Sequence, residues 1–276
     1  MSRIKLSPSK FLIHLILLLG AIAMVMPFYW MVSTSLKTSQ EVLQFPPKLW
    51  PDTMQWGNYA EAFTKQPFGR YFLNTFFIAL ATTGGQLLLG SLAAFAFTFM
   101  EFPLKNTIFM LLLSTMMIPQ QALLIPDYIV LSKLGWIDTF NALIVPWMGS
   151  VFTIFLLRQF FMQLPKDLYD AAKIDGCTKL RFFFQIILPL SVPPMITAGI
   201  FNFLGSWNSF LWPLMVTNSQ EMRTIQVGLA YFSQDSGTAW ELLSAAATFC
   251  TLPLVIGYFM AQKQFIEGVA RSGMKE

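Results

Sequence analysis

Long apolar runs separated by short polar segments dominate the chain. Windows without a single Asp, Glu, Lys or Arg cover residues 11–32, 71–99, 107–125, 140–157, 193–216 and 242–260. Each reaches, or comes within a few of, the roughly 20 residues that a helix needs to cross about 30 Å of hydrocarbon. Backbone groups in lipid must be hydrogen-bonded internally, which favours helices. The pattern predicts an all-α, polytopic membrane protein with six transmembrane helices, forming a single domain over residues 1–276.

The composition agrees with this class. Hydrophobic residues make up 55% of the chain and charged residues only 12%, whereas soluble domains carry roughly 25% charge. The two cysteines, Cys177 and Cys250, lie far apart and fit neither a disulfide framework nor a metal-binding pattern. The spans contain no Asp, Glu, Lys or Arg, which argues against a proton-coupled carrier.

Lys and Arg are unevenly distributed between the two sides of the predicted spans. Twelve of the 18 fall on one side and six on the other. The first group is Arg3, Lys5, Lys10, Lys105, Arg158, Lys166, Lys173, Lys179, Arg181, Lys263, Arg271 and Lys275; the second is Lys37, Lys48, Lys65, Arg70, Lys133 and Arg223. Because positive charge collects in the cytoplasm, both termini and an inner loop at about 163–192 are expected there. An outer loop at about 37–70 is expected on the opposite side.

The inner loop begins with the features of a short helix over residues 165–176. Asp167 is predicted as the N-cap, with Asp170 as a shortened capping-box partner. Gly176 is well placed to end the helix. Two adjacent alanines give one face a low relief that another backbone could approach closely. This face is expected to contain Leu168, Ala171, Ala172 and Asp175.

A second short helix is predicted after Gly176, basic at first and then apolar. Pro189, Pro193 and Pro194 should break or kink the chain on its return to the membrane. The residues alone leave two interpretations open. The loop could lie on the inner leaflet, with its Lys and Arg residues against anionic lipid, or it could form a docking surface for a cytoplasmic partner.

The spacing in this loop resembles the cytoplasmic Glu-Ala-Ala loop of permease subunits in bacterial ABC importers. That pattern is Glu-Ala-Ala, three residues, Gly, nine residues, Ile, one residue and Leu-Pro. Here the matching positions are Asp170-Ala171-Ala172, Gly176, Ile186 and Leu188-Pro189. Asp replaces Glu at position 170, which keeps the charge and shortens its reach. Stretches such as "PFYWMVSTSLKTSQEV" and "WNSFLWPLMVT" extend the resemblance to the smaller, sugar-type permeases of maltose-type importers.

The resemblance implies that the loop helix inserts into a groove on an ATPase subunit. The docking residues would be Asp170, Ala171, Ala172, Asp175 and Gly176. It also implies a second, homologous permease forming a heterodimer, two ATPase copies and an extracytoplasmic solute-binding protein. The chain has no phosphate-binding G-x-x-x-x-G-K-[ST] motif. ATP and Mg²⁺ are therefore expected on the ATPase, with no cofactor and no catalysis on this chain.

Polar, uncharged residues in the fifth predicted span are candidates for the solute path. Asn202, Ser206 and Ser209 share a predicted helical stripe, and Asn208 lies beside Trp207. Amides and hydroxyls exchange hydrogen bonds with sugar hydroxyls. The alternatives are hydrogen bonding between helices and anchoring of tryptophans at the outer interface. Gln86, Gln120 and Gln121 are weaker candidates, and Pro213 predicts a kink.

The sequence therefore predicts a permease subunit of an ATP-driven, binding-protein-dependent importer in the bacterial cytoplasmic membrane. The expected solute is a carbohydrate, with a polyol or a glycerol phosphate as alternative. A stand-alone secondary transporter or channel should show charged groups in the membrane or an internal repeat, and the sequence shows neither. A membrane-embedded enzyme would need convergent reactive groups, which are not apparent.

Overall fold

The computed structural model of the chain describes residues 8–165, 167–234 and 237–273. Arg3, Lys5, Lys166 and Lys275, which count toward the charge bias, lie outside the described residues. The helices, in chain order, are α1 (Pro8–Ser35), α2 (Ser39–Val42), α3 (Gly57–Lys65), α4 (Phe68–Phe99), α5 (Lys105–Thr115), α6 (Gln120–Lys133), α7 (Phe140–Ile144), α8 (Val151–Phe161), α9 (Asp167–Ile174), α10 (Lys179–Phe182), α11 (Leu188–Leu190), α12 (Val192–Trp207), α13 (Leu211–Val216), α14 (Ile225–Ala230) and α15 (Trp240–Gly273).

Shorter elements connect these helices. Turns of 3₁₀ helix occupy Val145–Trp147 and Gln220–Met222, and a π-helix occupies Phe183–Ile187. Two short strands, β1 (Ser233–Gln234) and β2 (Gly237–Thr238), pair in antiparallel fashion. The chain divides into two compact units, residues 1–68 with 228–255 and residues 69–227 with 256–276.

The first unit contains α1 and residues 37–68 of the segment that was predicted as an outer loop. The buried ammonium group of Lys37 donates a hydrogen bond to the carbonyl of Lys48 (2.6 Å) and lies 4.3 Å from the ring centroid of Trp30. Thr38 and Glu41 form a capping box that starts α2. These contacts hold a folded segment that is too interrupted to span a membrane.

Six spans agree with the helices of the described residues. Four helical stretches are long and apolar enough to cross a membrane, at Lys10–Ser35, Phe68–Phe99, Phe140–Phe161 and Trp240–Gly257. Two helix pairs pass the same test only when each pair is taken together. The all-α, polytopic prediction is confirmed.

The third predicted span is not a straight helix, contrary to the expectation for residues 107–125. It consists of α5 and α6, which meet at an angle of 97°. Pro119 precedes α6 with an extended backbone. Because proline cannot donate a backbone hydrogen bond and disfavours helix at the residue before it, α5 cannot continue through it.

The fifth predicted span also differs from the expected run of residues 193–216. The helix α12 ends at Trp207, and α13 starts only at Leu211. The side-chain amide of Asn208 donates to the carbonyl of Leu204 (2.9 Å), so it competes for groups that a continuing helix would use. Pro213 falls in the first turn of α13, where proline is tolerated. The kink expected at Pro213 is therefore a break just before it.

At its other end, α12 is bent by 77° from the Lys179–Leu190 segment. The hydroxyl of Ser191 donates to the carbonyl of Ile187 (2.5 Å) at this bend. Pro193 and Pro194 lie in the first turn of α12, and Pro189 lies inside α11. The expected interruption of the chain is present, but the prolines open a helix and do not end one.

Candidate functional site

The inner helix α9 carries the residues that the sequence predicts for docking. It starts at Asp167, which therefore lies in the first turn and is not the N-cap that was expected. Asp167 and Asp170 still place negative charge at the positive end of the helix dipole. The predicted capping box is thus replaced by a favourable charge arrangement.

Gly176 ends α9 as predicted. Its φ is +73°, in the left-handed region that glycine adopts without cost. The N–H of Gly176 donates to the carbonyl of Lys173 (3.1 Å), and the N–H of Cys177 donates to that of Ala172 (2.9 Å). These two hydrogen bonds are those of a Schellman motif. The glycine thus fixes the direction in which the chain leaves the helix.

The two alanines of the motif lie on different faces of α9. Ala171 is exposed, whereas Ala172 is only 7% exposed and packs into the apolar core of its own chain. The expectation that Ala172 belongs to an open docking face is therefore wrong. Helical periodicity places Ala172 one turn after Tyr169, which is partly buried in the same core.

The exposed face of α9 is a mixed apolar and acidic ridge. Ile174 is 86% exposed at the end of the helix, and Leu168 is exposed one and a half turns earlier. The carboxylate residues Asp170 and Asp175 are exposed beside them. An exposed Ile174 is a large apolar contact that the sequence prediction missed, because the spacing motif emphasises the small residues.

Aromatic rings hold the opposite face of α9 to the membrane helices. Tyr169 lies 5.7 Å from Phe99 at the end of α4 and 5.1 Å from Phe182 of α10, measured between ring centroids. Phe99 also lies 6.4 Å from Phe161 at the end of α8. These contacts form one cluster, called here the aromatic anchor: Phe95, Phe99, Phe161, Tyr169, Phe182 and Phe183.

A polar cavity of about 240 Å³ lies farther along the same unit. Hydroxyl and amide groups line it together with aromatic rings, and no Asp, Glu, Lys, Arg or His is among the described residues of the lining. Its polar and tryptophan lining includes Thr82, Gln86, Gln120, Trp147, Asn202, Ser206, Ser209, Trp212 and Thr224. Such a lining suits an uncharged solute rich in hydroxyl groups.

Three interruptions of helices meet at this cavity. Gln120 follows the bend between α5 and α6, Trp147 ends the 3₁₀ turn between α7 and α8, and Ser209 lies in the break between α12 and α13. Interrupted helices in membranes are tolerated where they line a cavity, because the freed backbone groups find partners there. These interruptions, of which only the one near Pro213 was expected from the sequence, thus shape the cavity.

Several polar atoms at the cavity have no protein partner among the described residues. They are the hydroxyls of Thr82 and Thr224 and the side-chain oxygen of Gln86, all buried. The nitrogen of the same Gln86 amide donates to the carbonyl of Trp147 (2.7 Å), which fixes its orientation. Because buried polar groups are normally hydrogen-bonded, these atoms are available to water or to a solute hydroxyl.

The four predicted path residues are divided by the structure. Asn202, Ser206 and Ser209 line the cavity, although Ser209 lies beyond the end of α12 and so not on the predicted helical stripe. Asn208 lines a neighbouring pocket with Gln120 and Gln121. The amide of Asn202 donates to the hydroxyl of Thr153 on α8 (2.9 Å), so it also bonds one helix to another.

Sequence reasoning missed Thr82, Trp147 and Thr224 as lining residues. Thr82 lies inside the apolar helix α4 and Thr224 in the loop before α14, and neither position stands out as a pattern in the sequence. For Trp147, the signal was present in Pro146 and the following Gly149-Ser150, which interrupt an apolar run. That interruption predicts a break, although not the direction in which the break faces.

Comparisons with known proteins agree with this architecture. Residues 86–271 match the family described as binding-protein-dependent transport system inner membrane component. The chain is 34% identical to the sn-glycerol-3-phosphate transport system permease protein UgpE of Pectobacterium atrosepticum, over 94% of this chain and 95% of that protein. It is 35% identical to the protein of the same name from Rhizobium meliloti, with the same coverage.

A solved structure has a similar fold at low identity. It is the crystal structure of a bacterial ABC transporter involved in the import of the acidic polysaccharide alginate. The TM-score is 0.80 at 20% identity, covering 93% of this chain and 98% of that chain. This likeness supports the helical architecture described above.

Proposed function

Because this chain belongs to the family of binding-protein-dependent transport system inner membrane components, we propose that it forms half of the membrane pathway of an ATP-driven carbohydrate importer. The chain is a non-catalytic, multi-pass permease subunit of the inner membrane. Such a subunit works with an ATPase and a solute-binding protein. In the proposed assembly, the chain forms a heterodimer with a second permease, and this heterodimer binds two copies of the ATPase. The ATPase copies hold ATP and Mg²⁺.

The proposed ATPase contact is the exposed face of α9. Leu168, Ala171 and Ile174 would enter an apolar groove, while Asp170 and Asp175 would meet positive charge at its rim. Gly176 would set the helix end, and Ala172 would act from behind by joining α9 to the aromatic anchor. The observation that supports this arrangement is the exposure of a large apolar side chain, Ile174, on a short helix outside the spans.

Co-purification tests the contact. In cells that co-express the partner ATPase, Ile174→Asp should reduce the ATPase recovered with the permease. Thr178→Asp, which places the same charge just after the helix, is the matched control and should retain it. Equal recovery with both variants would contradict the proposed face.

The orientation of the loop is also a proposal, supported by the bias of Lys and Arg. The native Cys177 provides a direct test, because it is partly accessible and follows α9, whereas Cys250 is buried. A membrane-impermeant maleimide should label Cys177 in inside-out vesicles and not in intact cells. Labelling in intact cells would reverse the assigned orientation.

The cavity carries the proposal of a carbohydrate. Its amides and hydroxyls match the hydrogen-bonding groups of a sugar, and Trp147 and Trp212 supply apolar rings. The unpartnered oxygen of Gln86 would accept a hydrogen bond from a solute hydroxyl. The described residues that line the cavity carry no charge, so none of them would compensate a phosphate.

A glycerol phosphate is the second candidate, favoured by the names of the two relatives. The two solutes can be separated with the assembled importer in proteoliposomes, by measuring ATP hydrolysis with each solute and its binding protein. Stimulation by neutral oligosaccharides or polyols is expected. Stimulation by sn-glycerol-3-phosphate alone would overturn the carbohydrate assignment, and failure to bind any ATPase would overturn the whole proposal.

A further inference from the structure

Two cations lie together at one end of α5 and α8. The guanidinium carbon of Arg158, in the last turn of α8, lies 4.1 Å from the ring centroid of Phe109 on α5. Lys105 starts α5 four residues before Phe109, about one turn, so both residues share a face of that helix. The charges of Lys105 and Arg158 are close enough to repel each other.

Arg158 has hydrogen-bonding capacity that the chain does not use. Its Nε is buried and has no hydrogen-bond partner among the described residues. No carboxylate among the described residues forms an ion pair with it. The ring of Phe109 favours the positive charge but accepts none of the guanidinium hydrogen bonds in the plane where they point.

Lys105 has one donor left after its own contacts. Its ammonium group donates to the carbonyls of Thr98 (3.2 Å) and Met100 (2.8 Å) at the end of α4. An ammonium group has three donors, so one remains. The start of α5 also lacks a side-chain cap, which leaves backbone N–H groups directed toward the same region.

Among the described residues, the charged groups that act on Lys105 are Arg158 and Glu101. Glu101, exposed in the loop before α5, acts electrostatically on Lys105 but forms no ion pair with it. Two cations and one acid sum to +1, which matches the single negative charge of a phosphodiester. Beside these groups, α5 exposes the apolar side chains of Ile108, Met110 and Leu111, a surface suited to acyl chains.

We propose that Lys105 and Arg158 form a binding site for the phosphate of an anionic phospholipid, whose acyl chains lie along the exposed face of α5. The guanidinium and the remaining ammonium donor bind the phosphate oxygens. The site lies at the end of these helices that the charge bias places in the cytoplasm, where basic groups between spans meet lipid headgroups.

Lipid retention tests this site. The purified importer is titrated with phosphatidylglycerol or phosphatidylcholine and examined by native mass spectrometry. The unmodified protein should retain phosphatidylglycerol selectively. Arg158→Gln and Lys105→Gln should each weaken this retention about fivefold, given roughly 1 kcal/mol for each basic group. Arg158→Lys should restore most of it, because the charge remains.

Controls separate this site from other uses of the same cations. Lys133→Gln removes a charge from the far end of α6 and should leave retention unchanged. Unchanged retention in both Arg158→Gln and Lys105→Gln would overturn the proposal, and Lys105→Gln alone decides it if Arg158→Gln does not fold. Displacement by excess inorganic phosphate would indicate a free-anion site instead. Loss of a partner subunit with normal lipid retention would indicate a protein carboxylate, and either result overturns the proposal.

Discussion

The inner loop and the polar cavity differ in how their important residues are spaced along the chain. The motif of the loop occupies residues 170–189, and its shape follows from short-range hydrogen bonds. The cavity draws residues from positions as distant as Thr75 and Thr224, brought together by three helix interruptions. The loop can therefore be read as a local pattern, whereas the cavity exists only after the chain has folded.

Replacing Gly176 should have the largest effect on ATPase binding and uptake, because the shape of the inner loop depends on this one residue's backbone. Gly176→Val places a β-branched residue at φ +73°, at a backbone cost of about 1–3 kcal/mol. Since 1.4 kcal/mol is tenfold in affinity, we expect about a tenfold loss in ATPase binding and a matching loss of uptake. Co-purification and solute uptake measure these effects.

Gly135 provides the matched control for that substitution. Its φ is +68°, and neither glycine has an atom near the added Cβ beyond its chain neighbours. Gly135→Val therefore carries a similar backbone cost outside the inner loop. If both variants lose ATPase binding equally, the effect of Gly176→Val is general destabilisation, and the loop has no special role.

The two alanines of the motif separate the front of α9 from its back. Ala172→Leu adds volume inside the aromatic anchor and should destabilise the protein by about 1–3 kcal/mol. Ala171→Leu lies on the exposed face, so it should leave the Tm nearly unchanged and weaken ATPase binding instead. Thermal unfolding in detergent and co-purification measure the two effects; a reversed pattern would contradict the assigned faces.

Asn202 and Asn208 make the corresponding comparison at the cavity. Asn202→Ala removes a hydrogen bond to Thr153 and a group of the cavity lining. As a lining group, the Asn202 amide would also hydrogen-bond the solute. A net hydrogen bond contributes about 1 kcal/mol, so its loss should lower uptake at limiting solute about fivefold. Asn208→Ala loses only a contact with its own helix and should remain within about twofold. A larger effect at Asn208 would move the path to the neighbouring pocket.

Replacing Asp138 should have the smallest effect. Its carboxylate holds the chain just after α13, near the cavity. Burial raises the pKa of its carboxyl, but hydrogen bonds from the backbone N–H groups of Asn218 and Ser219 outweigh it, so the pKa is lowered overall. The stabilisation is therefore present above the unfolded pKa of about 3.9 and is lost as the pH falls through the lower folded value.

The measurement for this last comparison is the Tm as a function of pH. Asp138→Asn should reduce the free energy of unfolding near neutral pH by about 0.5–1.5 kcal/mol, which appears as a lower Tm. The difference in Tm between the variant and the unmodified protein should narrow below about pH 4. Asp175→Asn removes an exposed carboxylate with no such contacts and should have no effect. A difference that persists unchanged in acid would show that the carboxylate charge is not responsible.

The sequence predicts elements whose cause is local and fails where tertiary contacts decide. Gly176 was recognised because a glycine after a short helix has one well-known conformation. Ala172 was assigned to the wrong face, because periodicity groups residues without saying which group meets the core. Charge-free runs located six spans. Pro119 and Asn208 are local causes of two interruptions, but they do not reveal that the interrupted helices meet at one cavity.

The aromatic anchor couples α9 directly to two membrane helices. Its rings join the back of α9 to the ends of α4 and α8, without a flexible spacer between them. A force applied to α9 would therefore be transmitted to α4 and α8 together, since close-packed interiors have low compressibility. The rigidity of this ring packing, and not the strength of the ATPase contact alone, would then limit how much of the displacement of α9 is transmitted to the helices that line the cavity.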